Sequence, residues 1–177
     1  MRFILVISVL AITLSGCNRK ESCFEQEDKL VIQKCIDKVI ELREKHLSKS
    51  CYLVSPYLDT LSLMPYSEEE KKSLLKTLGI SEKRFNKAQA DILECGDHYE
   101  ESLMDMSNRN EGYGVFKVNK VYKNLVQIRF TDYYEQVGKQ GLKDKAEFRP
   151  NQMFEYVCVI KENGDVKIAL ETASFYD

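Results

Sequence analysis

The chain has 177 residues, with 26 basic against 28 acidic side chains and 44% hydrophobic residues. That length and balance suffice for one domain with a real core. A near-neutral charge without a basic run excludes nucleic acid as an expected partner and excludes a polybasic lipid-binding patch.

The first element is a leader. Arg2 is a minimal positive region, Phe3 to Leu14 is apolar apart from Ser8 and Thr13, and Ser15 and Gly16 are small. A helix of that length spans only ~18 Å, short of the ~30 Å hydrocarbon core, so residues 1–16 are expected to be a signal peptide and not a membrane span. The ending Leu14-Ser15-Gly16-Cys17 resembles the lipobox of bacterial lipoproteins. The resemblance implies that the Cys17 thiol accepts a diacylglyceryl group, that cleavage falls before Cys17, and that acyl chains hold the mature protein on a membrane. At ~0.8 kcal/mol per buried methylene, two or three such chains are a lasting anchor. It also implies the bacterial cell envelope as location. Asn18 stands where enterobacterial lipoproteins retained at the inner membrane carry Asp, so the periplasmic face of the outer membrane is expected if the source has two membranes.

Residues 17–22 then form a short tether to a single domain over 23–177, helical over 23–107 and sheet-forming over 113–175. In the oxidising compartment implied by the lipobox, Cys23, Cys35, Cys51, Cys95 and Cys158 are expected to pair rather than to bind metal. The first four allow three connectivities. On one helix Cys23 and Cys35 would lie ~18 Å apart, whereas a disulfide needs Cα atoms ~4.4–6.8 Å apart. Of the two remaining sets, Cys23 with Cys95 and Cys35 with Cys51 is preferred, which leaves Cys158 free and shielded.

Phe24 to Leu47 places Val31, Ile32, Cys35, Ile36, Val39, Ile40 and Leu47 at three- and four-residue spacings, a long amphipathic helix. "SPYLDTLSLMP" is apolar but interrupted, a short helix or packed loop. Ser67 and Glu70 make a capping box that opens a second helix, Gly79 stops it, and Ser81 opens a third that runs to about Glu94. "LLKTLGISEKRFNKA" resembles the corner of a helix-turn-helix DNA reader, but an exported domain does not meet DNA, and Leu78 and Ile80 are read as packing that corner. After Gly96 a further helical stretch reaches Met106.

From Val115 the period changes. In "LVQIRF" Val126, Ile128 and Phe130 alternate with Gln127 and Arg129, as in a half-buried strand. Asn163-Gly164 predicts a type I′ hairpin that sets Val159 against Ile168 and Val157 against Leu170. The other face of that strand carries Phe154, Tyr156, Cys158 and Ile160, so it is expected to be covered on both sides. Val137 to Pro150 reads as a mobile polar loop.

The result is an α+β domain, helices first and then an antiparallel sheet of about four strands. The element order is similar to NTF2-like folds, whose bent sheet and helices enclose a pocket. "ECGDH" offers Cys95 and His98 as half of a zinc site, but the only other histidine is His46, and a disulfide beside a surface histidine is the expected outcome. No Gly-x-Ser-x-Gly, P-loop or dinucleotide turn occurs, so no cofactor and no catalytic residue are assigned. The aromatic excess of the sheet supplies the binding candidates Tyr133, Tyr134, Phe154 and Tyr156, because tyrosine joins a large apolar ring to a polar tip. Tyr133 and Tyr134 are adjacent, and in a strand they point to opposite faces. Three classes follow: a lipid-anchored, non-enzymatic binding protein with an envelope protein partner; an NTF2-like carrier of a small apolar ligand; and an envelope hydrolase. The tether Asn18 to Ser22 extends at most ~18 Å, so the membrane-distal loops, with Tyr133 and Tyr134, are the expected contact surface.

Overall fold

Aspartate at its first turn and arginine at its last, each matched to the helix dipole, bound the helix α1 (Asp28–Arg43). Asp28 also accepts a hydrogen bond from the Glu25 amide at 2.8 Å. Ile32, Cys35, Ile36 and Val39 form its buried stripe, the spacing that turns one helical face inward. The computed structural model describes residues 23–43, 51–59, 67–119, 121 and 125–175. The leader, Cys17, the tether, His46, Leu47 and the second half of "SPYLDTLSLMP", residues 60–65, lie outside them. No helix among the described residues is long and apolar enough to cross a membrane.

The remaining elements are β1 (Tyr52–Val54), α2 (Glu68–Leu78), α3 (Glu82–Glu94), a 3-10 turn (Glu101–Met106), β2 (Glu111–Val118), β3 (Leu125–Gly138), α4 (Lys139–Lys143), β4 (Pro150–Ile160) and β5 (Val166–Phe175). Among the described residues the strands form one sheet in the order β1-β2-β3-β4-β5. The domain is α+β as expected, but the sheet is mixed. β1 runs parallel to β2, with Leu53 opposite Val115, and it comes from the stretch expected to be helical. A parallel neighbour needs a long crossover, and the chain between β1 and β2, which includes α2, α3 and the 3-10 turn, supplies it.

α1 covers one face of this sheet. Phe116, Val118, Val126, Ile128, Phe130, Tyr156 and Cys158 meet Ile32, Cys35, Ile36 and Val39 in the largest core cluster. Each fully buried aliphatic or aromatic side chain there is worth ~1.5–3 kcal/mol. Gly114 on β2 is required by this packing, because a Cβ would lie 2.6 Å from the Phe130 ring.

The second face is divided. At one end Leu74 of α2 and Phe85 of α3 pack on Leu125 and Val157, with Leu78 and Ile80 at the corner. Gly79 stands there at φ +61°, and the capping box is present, Ser67 with Glu70. At the other end Leu53, Val115, Val137 and Leu142 cluster with Tyr133 and Phe148. The register places Lys117, Arg129 and Glu155 in one row between these ends. Arg129 reaches Glu155 and Asp59, each at 3.4 Å.

Three further expectations need correction. The hairpin has Val157 opposite Leu170, but Cys158, not Val159, faces Ile168. The turn is wider than type I′: the Gly164 amide donates to the Lys161 carbonyl, and Gly164 takes φ +83° while Asn163 stays at negative φ. That is a type I turn closed by a left-handed glycine, and the residue it adds is taken up by the bulge between Val157 and Cys158. Residues 137–150 contain α4 instead of being loop throughout. Finally, Cys23 is bonded to Cys95, with Cα atoms 5.5 Å apart, but Cys35 and Cys51 do not pair. Cys35 is buried on the sheet-facing stripe of α1, whereas Cys51 is exposed just before β1.

Candidate functional site

The bridge between Tyr57 and Tyr99 ties the segment after β1 to the turn after α3. Leu58 and Glu100 donate to the carbonyls of His98 and Pro56, and Asp97 donates to that of Leu58. The Cys23–Cys95 bond fixes the start of the same turn. On the facing side, the Tyr57 hydroxyl donates to the Lys143 carbonyl at 2.8 Å, which holds the end of α4 in place. Lys143 and Glu101 form an ion pair between α4 and the 3-10 turn.

These ties frame an open groove of about 420 Å³ against the second face of the sheet. Tyr57, Tyr133 and Phe148 supply its rings, Lys117 and Lys145 its positive charge, and Asp97 and Glu147 its negative charge. Tyr133 is half-buried and meets Phe148 edge-on at 5.8 Å. Gly141 permits that closure, since a Cβ there would lie 2.6 Å from the Phe148 ring. The Lys145 ammonium sits 4.4 Å from the centre of the Tyr57 ring and 3.6 Å from the Asp97 carboxylate.

Asp97 and Lys145 have φ of +61° and +52°. For a side chain with a Cβ, that left-handed backbone costs ~1–2 kcal/mol. They are the non-glycine residues at positive φ among the described residues, and they face each other across the groove rim. Lys145 takes this φ as the residue that closes α4, its amide donating to the Leu142 carbonyl and the Ala146 amide to that of Gly141, the left-handed end that many helices share.

Tyr134 lies outside the groove. It is 53% exposed, its amide donates to the Arg149 carbonyl, and the Arg149 guanidinium stacks 4.9 Å from its ring centre. The adjacent tyrosines therefore part as strand geometry requires, Tyr133 inward and Tyr134 into solvent.

Phe154 and Tyr156 join neither. Both belong to the core beneath α1, where the Arg43 guanidinium lies 3.2 Å from the Phe154 ring centre and donates to the Tyr156 hydroxyl at 2.8 Å. Burial pushes the Tyr156 phenol up to about 12, against the opposing pull of Arg43. They are structural residues in this arrangement. Cys95 is bonded and His98 exposed, and no group of three or more His, Cys, Asp or Glu side chains that could hold a metal occurs among the described residues.

Sequence reading missed Tyr57, Asp97, Lys117 and Lys145 as groove residues. Asp97 and Lys145 carry no glycine or Asn-Gly signal for their backbone, and Tyr57 reaches the groove only through β1. Comparison of the chain with known protein families, with curated proteins and with solved structures finds no match.

Proposed function

We propose that this chain is a lipid-anchored, non-enzymatic binding protein of the bacterial cell envelope, and that it recognises a protein partner through the groove and the Tyr134 rim beside it. The observation that carries the reading is an aromatic groove closed at its rim by the Asp97–Lys145 ion pair, next to an exposed, stacked tyrosine. Ring faces flanked by charges of both signs suit an extended polypeptide, which offers apolar side chains and polar backbone together. Asp97 and Lys145 are engaged with each other, and the Tyr57 hydroxyl with a carbonyl, so these groups favour recognition over covalent chemistry.

The anchor is part of the proposal. Support for it is the lipobox Leu14-Ser15-Gly16-Cys17, with the outer membrane as the expected site. Cys17→Ser is expected to abolish metabolic labelling with a fatty acid and to leave an uncleaved precursor; unchanged labelling would refute the anchor.

An NTF2-like carrier needs a cavity between helix and sheet. Ile32, Ile36, Phe116, Phe130 and Tyr156 fill the space beneath α1, so the binding assignment rests on the outer groove. Lys145→Glu, which reverses charge at the rim, is expected to lower partner affinity at least tenfold with the fold retained by circular dichroism. Unchanged affinity would reject the groove.

A further inference from the structure

Two thiols meet in the core beneath α1. Cys35 lies mid-helix on the stripe that faces the sheet, and Cys158 lies near the end of β4, opposite Val126 and Ile168. Both are completely buried, both are free, and both belong to the one core cluster between α1 and the sheet, where the Cys35 thiol interacts with that of Cys158. We propose that Cys35 and Cys158 are the site of a second disulfide, which joins α1 to the central sheet when the chain folds in the presence of a disulfide oxidant.

The chemistry is ordinary exchange. One cysteine thiolate attacks the oxidant's sulfur–sulfur bond and forms a mixed disulfide, releasing one oxidant thiol. The second cysteine thiolate then attacks the protein sulfur, forms the Cys35–Cys158 bond and releases the other oxidant thiol. The two protons lost by the cysteines end on the two oxidant thiols, and the oxidant takes the electron pair. A small organic disulfide or the disulfide of an oxidoreductase serves equally.

Timing follows from burial. The hydrogen bond with Cys158 and desolvation push the Cys35 thiol far above its ordinary range, so the finished core holds no thiolate for an oxidant to meet. Exchange therefore precedes closure of α1 on the sheet. Cys23–Cys95 already holds the segment before α1 beside the turn after α3, and Cys51 stands apart as an exposed thiol. This inference depends on neither the anchor nor the groove.

The test is refolding of the full chain, reduced and denatured, in a mixture of glutathione and glutathione disulfide. The product is then denatured, alkylated without reduction and digested for mass spectrometry. The expected result is one peptide pair linking Cys35 to Cys158, with Cys51 alkylated. In Cys158→Ala, refolded in the same way, Cys35 becomes alkylated while the Cys23–Cys95 link persists. Alkylation of both Cys35 and Cys158 in the unaltered chain, or recovery of Cys35 linked to Cys51, would overturn the proposal.

Discussion

The adjacent tyrosines test the site at the level of single side chains. Tyr134 is exposed and stacked by Arg149, so Tyr134→Ala is expected to weaken partner binding by about 1–2 kcal/mol while changing stability by less than about 0.5 kcal/mol. Tyr133 packs on Phe148 within an apolar cluster. Tyr133→Ala is therefore expected to lower unfolding free energy by about 1–3 kcal/mol in urea titration. Equal losses of several kcal/mol for both would make the pair purely structural. Tyr156 supplies a pH signature. Its phenol rises to about 12 in the folded protein from near 10 unfolded. The folded state thus holds the proton longer, and the stability this confers, up to about 2–3 kcal/mol, is complete below pH 10 and lost as pH climbs to about 12. Tyr156→Phe, which deprives Arg43 of its acceptor, is expected to cost about 1–3 kcal/mol at neutral pH. The gap between the two proteins then narrows from pH 10 to 12; a constant gap contradicts the burial argument.

Elements built from local pattern were the most legible in the sequence. In α2 the Ser67 hydroxyl accepts from the Glu70 amide and the Glu70 carboxylate from the Ser67 amide. Ser67→Ala is expected to cost about 1 kcal/mol, measured by chemical denaturation. Gly79, at φ +61°, closes the same helix, and Gly79→Ala carries a similar penalty for the left-handed backbone. The apolar spacing of α1 and the alternation of β3 were equally plain, because each is periodic over two or more turns or pleats. β1 was not legible: three residues of a buried parallel strand have no period, and their partner lies beyond α2 and α3. The hairpin shows the limit of a turn motif. Asn163-Gly164 marked the right place, but only Gly164 of the two adopts positive φ, so the register between the turn and the bulge moved by one residue. At the groove, the polar loop and Tyr133 were legible from composition. Asp97 and Lys145 were not, since neither position carries the glycine that usually marks a left-handed backbone.

Across the whole molecule, one covalent tie is placed to matter most. Cys23–Cys95 spans 72 residues and joins the start of α1 to the turn that forms one wall of the groove. Cys95→Ala is expected to cost about 2–4 kcal/mol, seen as a large drop in melting temperature. On the proposed reading, this tie links the N-terminal segment that follows the anchor to one wall of the recognition surface. Site-specific photo-crosslinking in intact cells tests that account most directly, with a photoreactive residue placed singly at Tyr134, at Leu30 and at Phe175. All three are exposed, Leu30 on α1 at 65% and Phe175 on β5 at 70%. The account predicts a discrete protein adduct in the membrane fraction from position 134, lost when Lys145→Glu is added, and none from positions 30 and 175. The same adduct from all three positions, or none from position 134, would contradict it.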